Sequence, residues 1–132
     1  MLAIDTNVVV RYLTGDDPAQ AAMARAAIDA GRVFVSTTVF LECEWVLRSV
    51  YGFTGGEVAA ALRGFAGLPS VSVESPILLA EALDRAEAGM DFADALHLGA
   101  AAQCEAMLTF DRHFIETAQD TPVRVTLPQA TV

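Results

Sequence analysis

The sequence predicts an α/β fold built on a short parallel sheet, and three observations carry that expectation. Short apolar runs of strand length recur at Met1–Ile4, Val33–Val35, Val71–Val73 and Ala106–Phe110. Longer stretches between them carry apolar residues at helical spacing, bounded by helix-start and helix-stop residues. Strands that alternate with helices argue for parallel pairing. The 132 residues fit one compact domain, residues 1–132, with one core.

The first run leads straight into Asp5-Thr6-Asn7 and reads as a short strand buried on both faces. Asp5 then leaves the carboxyl end of that strand, where open α/β sheets place their sites. Thr6 and Asn7 are short and polar enough to help cap a helix; a plain cap is also the bland reading of the whole Asp-Thr-Asn. Gly15-Asp16-Asp17-Pro18 ends the first helix, and Pro18 stands where the next can start. The second helix, Ala19 to Ala30, has Ala22, Ala26 and Ala30 at helical spacing and stops at Gly31.

After the second strand, Ser36 or Thr37 caps a third helix that runs to about Tyr51. Val39, Cys43, Val46, Leu47 and Val50 share one face of it. Glu42 and Glu44 stand near opposite edges of that face, and the helical wheel does not choose between them. Gly52 closes the helix. Thr54 and Glu57 have capping-box spacing for a fourth helix, with Val58, Leu62, Phe65 and Ala66 on its apolar side. Leu68-Pro69 breaks it before the third strand. Ser75-Pro76 opens a fifth helix, with Leu79, Leu83 and Ala86 inward and Ala88-Gly89 at its end. Residues Asp91 to Ala102 form a sixth helix whose small residues allow close packing against the sheet. The fourth strand ends at Asp111, a short helix follows around Phe114 and Ile115, and Val123–Val125 reads as an edge strand between Pro122 and Pro128.

Composition narrows the function classes. Net charge is −9; all eight basic residues are Arg and there is no Lys. Phosphate contacts need cations, so this is a poor non-specific nucleic-acid coat. An enzyme that brings phosphate in through bound metal remains open, because the ion supplies the positive charge. Cys43 and Cys104 are far apart, without zinc or disulfide spacing. Both read as buried thiols in a reducing, cytoplasmic setting. The first residues lack the pattern of a secretory signal, and the longest apolar run is too short to span a membrane.

Asp5 and Asp111 each follow a short apolar strand and precede a helix. If those strands are neighbours, both carboxylates sit at one end of the sheet. Asp94 lies in the first turn of the sixth helix, and Glu42 in the first or second turn of the third. Four acids are therefore expected at the carboxyl rim. Like charges that close require a proton or a cation. Mg²⁺ suits such oxygen ligands, takes one or two carboxylates, and keeps waters for a substrate phosphate.

The segments Ile4-Asp5-Thr6-Asn7, Glu42 before Trp45-Val46-Leu47, Asp91-Phe92-Ala93-Asp94-Ala95-Leu96 and Thr109-Phe110-Asp111 resemble the four acidic motifs of PIN domains, in the right order. The likeness extends to VapC-type toxins of bacterial toxin–antitoxin pairs and spans about residues 1 to 117. It implies a three-layer α/β/α sandwich around a short central parallel sheet. It implies an endoribonuclease dependent on Mg²⁺ or Mn²⁺, in which water attacks the RNA phosphodiester at metal held by Asp5, Glu42, Asp94 and Asp111. It implies a homodimer and an antitoxin that blocks the acidic site. It matches Thr6, Asn7 and Thr109 to polar residues beside the acids, and it prefers Glu42 over Glu44.

Single residues carry competing readings. Asp91 is expected to cap the sixth helix and to orient ligands. His97 and His113 are expected to be structural or solvated, without the geometry of a base. Arg11, Arg48 and Arg112 are the candidate RNA phosphate contacts, against a default of solvated charge. Trp45, Tyr51 and Phe53 suit a partner surface, with core packing as the simpler account. Two rival functions stand beside the nuclease. One is a binding module whose acids are silent. The other is a phosphohydrolase with Asp5 as nucleophile, which resembles the haloacid-dehalogenase type but has Asn7 where that pattern has a second Asp.

Overall fold

Side-chain caps set most helix boundaries in the computed structural model, which describes residues 1–129; Thr6 and Asn7, expected to help cap the first helix, lie inside it. Asp5 caps α1 (Thr6–Thr14), and Gly15 closes it at φ +65°. Asp17 caps α2 (Pro18–Asp29), with Pro18 in its first turn. Ser36, not Thr37, caps α3 (Thr37–Ser49). Thr54 and Glu57 form the full capping box of α4 (Gly55–Ala66). α5 spans Pro76–Glu87. Asp91 caps α6 (Phe92–Ala100), and Asp111 caps α7 (Arg112–Thr117). Each such cap satisfies a backbone N–H that the helix cannot, and is typically worth about 1 kcal/mol.

The strands are short: β1 (Leu2–Ala3), β2 (Val33–Val35), β3 (Val71–Val73), β4 (Ala106–Leu108) and β5 (Arg124–Thr126). They are hydrogen-bonded as two parallel sheets, β1-β2-β3 and β4-β5. Leu2 is opposite Val33, and Val33 opposite Val71. In the second sheet Met107 is opposite Val125. The described chain divides into two compact units, Met1–Pro76 and from Ile77 onward.

The first unit buries Val9, Ile28, Val33, Val35, Phe40, Leu47, Leu62 and Phe65. Tyr12 packs edge-on against Phe65, with ring centroids 5.5 Å apart. The second unit buries Leu79, Ala82, Leu83, Phe92, Ala95, Leu96 and Leu98. Gly99 of α6 lies so close to α5 that an added Cβ would stand 2.4 Å from Leu78 Cδ1. The missing side chain of Gly99 thus admits Leu78 of α5.

Several expectations need correction. β1 is not buried on both faces: Leu2 and Ala3 are exposed and only Ile4 is buried. In α2 the buried stripe is Ala21, Ala24 and Ile28, while Ala22, Ala26 and Ala30 face outward. An alanine-rich helix offers little contrast between faces, and Ile28 decides the orientation. Val50 is exposed and Phe40 takes its place in the core of α3. Cys104 is exposed, because α6 ends at Ala100 and the thiol sits in the following turn. The last strand is displaced by one residue and pairs with β4.

Candidate functional site

Parallel strands deliver their carboxyl ends to one edge, so the residues that follow β1, β2 and β3 meet there. Asp5 follows β1, and its Oδ1 accepts from the Val8 amide at 3.3 Å as the α1 cap. Ser36 follows β2 and starts α3, which presents Glu42 in its second turn. Thr6 joins the two. It is the one polar side chain buried in the described core, and its hydroxyl donates to the Glu42 carboxylate. Asp5 and Glu42 also act on the same buried thiol. Cys43 is pushed up to about 12 by burial first and then by the Glu42 charge, against a Thr6 hydrogen bond, with Asp5 adding to the rise. A thiol held that far above neutrality carries no thiolate chemistry.

Glu74 follows β3 and was missed in the sequence. Its Oε1 accepts from the Thr37 amide at 2.9 Å, satisfying the first turn of α3. The signal was present: an acid after a short apolar strand, the same pattern as Asp5 and Asp111. Glu74 therefore fixes the helix that carries Glu42.

Glu42 and Glu44 are told apart by their partners. Glu44 accepts from Arg48 Nε at 2.9 Å, one helical turn away. That ion pair occupies Arg48. Arg11 is occupied as well: it donates to Gln20 at 2.7 Å, to Tyr51 Oη at 2.9 Å and to Asp16 at 3.2 Å. Tyr51 in turn donates to Asp16 at 2.6 Å. Tyr51 is thus a polar tie, and Trp45 is 55% exposed, so core packing does not explain either aromatic.

In the second unit, Asp91 Oδ1 accepts from the Asp94 amide at 3.0 Å. Asp111 Oδ1 accepts from the amides of His113 at 2.9 Å and Phe114 at 3.2 Å. Thr109 accepts from the Asp111 amide at 3.0 Å, which holds the turn between β4 and α7. These bonds leave Asp111 Oδ2 outside the cap. Asp94 is half-buried, and its pKa is raised by burial first, then by the charges of Asp91 and Asp111, with His97 and His113 opposing. Both histidines and Arg112 are exposed. Asn7 lines an open groove of about 590 Å³ along α1 and α2, with Ile4, Val8, Arg11 and Met23 among its neighbours.

The donor chemistry fits a hard divalent cation, which prefers carboxylate oxygens. Asp5 with Glu42 supplies such oxygens in the first unit, and Asp94 with Asp111 in the second. Among the described residues, no group of three or more His, Cys, Asp or Glu side chains is gathered to hold an ion alone. Nor is any described helix long and apolar enough to cross a membrane.

Residues 2–120 match the sequence model of a family described as PIN domain. None of the curated proteins compared with the chain matches it.

Proposed function

The chain belongs to the PIN domain family, whose members are generally metal-dependent nucleases, and we propose that it is a Mg²⁺- or Mn²⁺-dependent endoribonuclease, the toxin of a toxin–antitoxin pair. The observation that carries this reading is the Thr6 hydroxyl donating to Glu42 beside Asp5. It is a buried polar residue spent on holding the Glu42 carboxylate, and Asp5 precedes it in the chain. The pressure of Asp91 and Asp111 on Asp94 supports it from the other half of the sequence.

Asp5 and Glu42 of the first unit, and Asp94 and Asp111 of the second, would each offer carboxylate oxygens to metal, with Asp5 and Asp94 as the principal ligands. Such an ion makes a bound water acidic and neutralises charge on a phosphodiester. The chain's own residues prepare the ligands. Thr6 fixes the Glu42 carboxylate, and Glu74 fixes the start of its helix. Asp91 orders the turn bearing Asp94, and Thr109 orders the turn bearing Asp111. Burial first, and then the charges of Asp91 and Asp111, raise the Asp94 pKa, and a bound cation would offset both. Arg112, exposed beside Asp111, is the foremost phosphate contact; Arg11 and Arg48 would first have to leave their ion pairs.

As a toxin the chain would act as a homodimer and be silenced by an antitoxin over the acidic residues. The test is incubation of the purified chain with single-stranded RNA in Mg²⁺, in Mn²⁺ and in EDTA. Internal cuts with either ion and none in EDTA are the expected result. Cutting that survives EDTA contradicts the reading.

A further inference from the structure

Helix α3 carries two stripes. Phe40, Cys43 and Leu47 are fully buried. Thr38, Leu41, Glu42 and Trp45 follow the i, i+3, i+4, i+7 pattern of a second face. With Val39 they line an open hollow of about 560 Å³. Trp45 is 55% exposed there, although Trp is one of the more buried residue types on average. It is the only Trp in the chain.

The charge of this wall limits what it takes. Its ionised group is Glu42, and the arginine nearest Trp45 on the helix, Arg48, is paired with Glu44. A carboxylate repels a phosphate chain but tolerates the face and amino edge of a base. The hollow is also continuous with Glu42, which lies three residues, roughly one helical turn or 4.5 Å of rise, before Trp45.

We propose that the Trp45 indole is a stacking platform for an unpaired nucleobase of the RNA, seated next to Glu42. The inference rests on the nuclease reading and adds the element that selects single-stranded substrate. Every base has a π face, so stacking on an exposed aromatic tolerates sequence while requiring an unpaired base. The indole holds the strand by a base, and an acidic protein needs such a grip because its phosphate contacts are few.

The single indole makes the test direct. Trp fluorescence of the full chain is followed in Mg²⁺ on rapid mixing with a single-stranded oligoribonucleotide, and with an abasic sugar–phosphate chain of equal length. Quenching by the first and not the second is expected. In parallel, affinity for labelled RNA is measured for Trp45→Phe and Trp45→Leu, with thermal melts to verify folding. Loss of stacking in Trp45→Leu weakens binding by about 5- to 100-fold, and Trp45→Phe by less. For cleavage, the expected change in Trp45→Leu is a raised KM with little change in kcat. Equal response to the two chains, or wild-type affinity in a folded Trp45→Leu, overturns the platform. An emission shift that follows protein concentration and ignores RNA assigns the stripe to a second copy and also overturns it. Base-dependent quenching without any cleavage keeps the platform and removes the nuclease reading. Cleavage unaffected by Trp45→Leu does the reverse.

Discussion

Replacing Thr6 by Val tests the bond on which the site turns. The two side chains have nearly the same shape, so Val fills the buried position without a cavity. The lost hydroxyl removes its hydrogen bond to Glu42. A bond to a charged group is worth about 1.5–3 kcal/mol when the acceptor is left dry. Glu42 is exposed and regains water, so the cost falls toward the ordinary value of about 1 kcal/mol. The added buried methyl returns roughly 0.8 kcal/mol. Urea unfolding should therefore show a net change within about 1 kcal/mol. Function is expected to respond differently, because Glu42 loses its fixed direction. Partners that orient a metal ligand typically cost about 10–100-fold in metal affinity or activity when removed. Calorimetric Mn²⁺ binding and RNA cleavage, each on Thr6→Val and Thr6→Ser, read this out, with Ser restoring most of the loss. Wild-type Mn²⁺ affinity and cleavage in Thr6→Val would refute the reasoning, as would failure of Ser to recover a loss.

Two further predictions concern the fold. Gly99→Ala gains up to about 1 kcal/mol of helix propensity and pushes a methyl against the end of the half-buried Leu78 side chain, which can turn to another rotamer; a shift in urea midpoint worth less than about 1 kcal/mol of stability is expected, and a large loss would show that Leu78 is fixed in place. Ellman's reagent at pH 8 should titrate one thiol in the native chain, the exposed Cys104, and two in denaturant, since Cys43 is buried and pushed up to about 12. Because that pKa is raised by folding, any stability it contributes is present below the ordinary thiol range and lost as pH climbs toward 12.

What the sequence made legible was mostly local. Asp5, Ser36, Thr54, Asp91 and Asp111 cap helices because a short polar side chain meets amides two or three residues on, a matter of adjacent chemistry. Alternation of strand and helix likewise gave the parallel pairing. What stayed hidden depended on distant partners. Thr6 reaches Glu42 across 36 residues, and its role as a clasp rather than a cap has no local signature. The difference in partners between Glu42 and Glu44, the Arg48 ion pair of Glu44, is likewise absent from the helical wheel. Arg11 is held by Asp16 and by Tyr51, the latter 40 residues away in the chain. The exposure of β1 escaped a rule that reads apolar runs as buried strands. Two residues of ladder at a sheet edge leave Leu2 facing outward.

The most direct measurement is cleavage of total cellular RNA by the purified chain in Mg²⁺, run beside EDTA and the folded variants Asp5→Asn, Asp94→Asn and Glu44→Gln. Discrete cuts by wild type and Glu44→Gln, abolished by EDTA and by both Asn variants, are the expected result. Cutting by Asp5→Asn and Asp94→Asn at the wild-type rate, or none by the folded wild-type chain, would contradict the account.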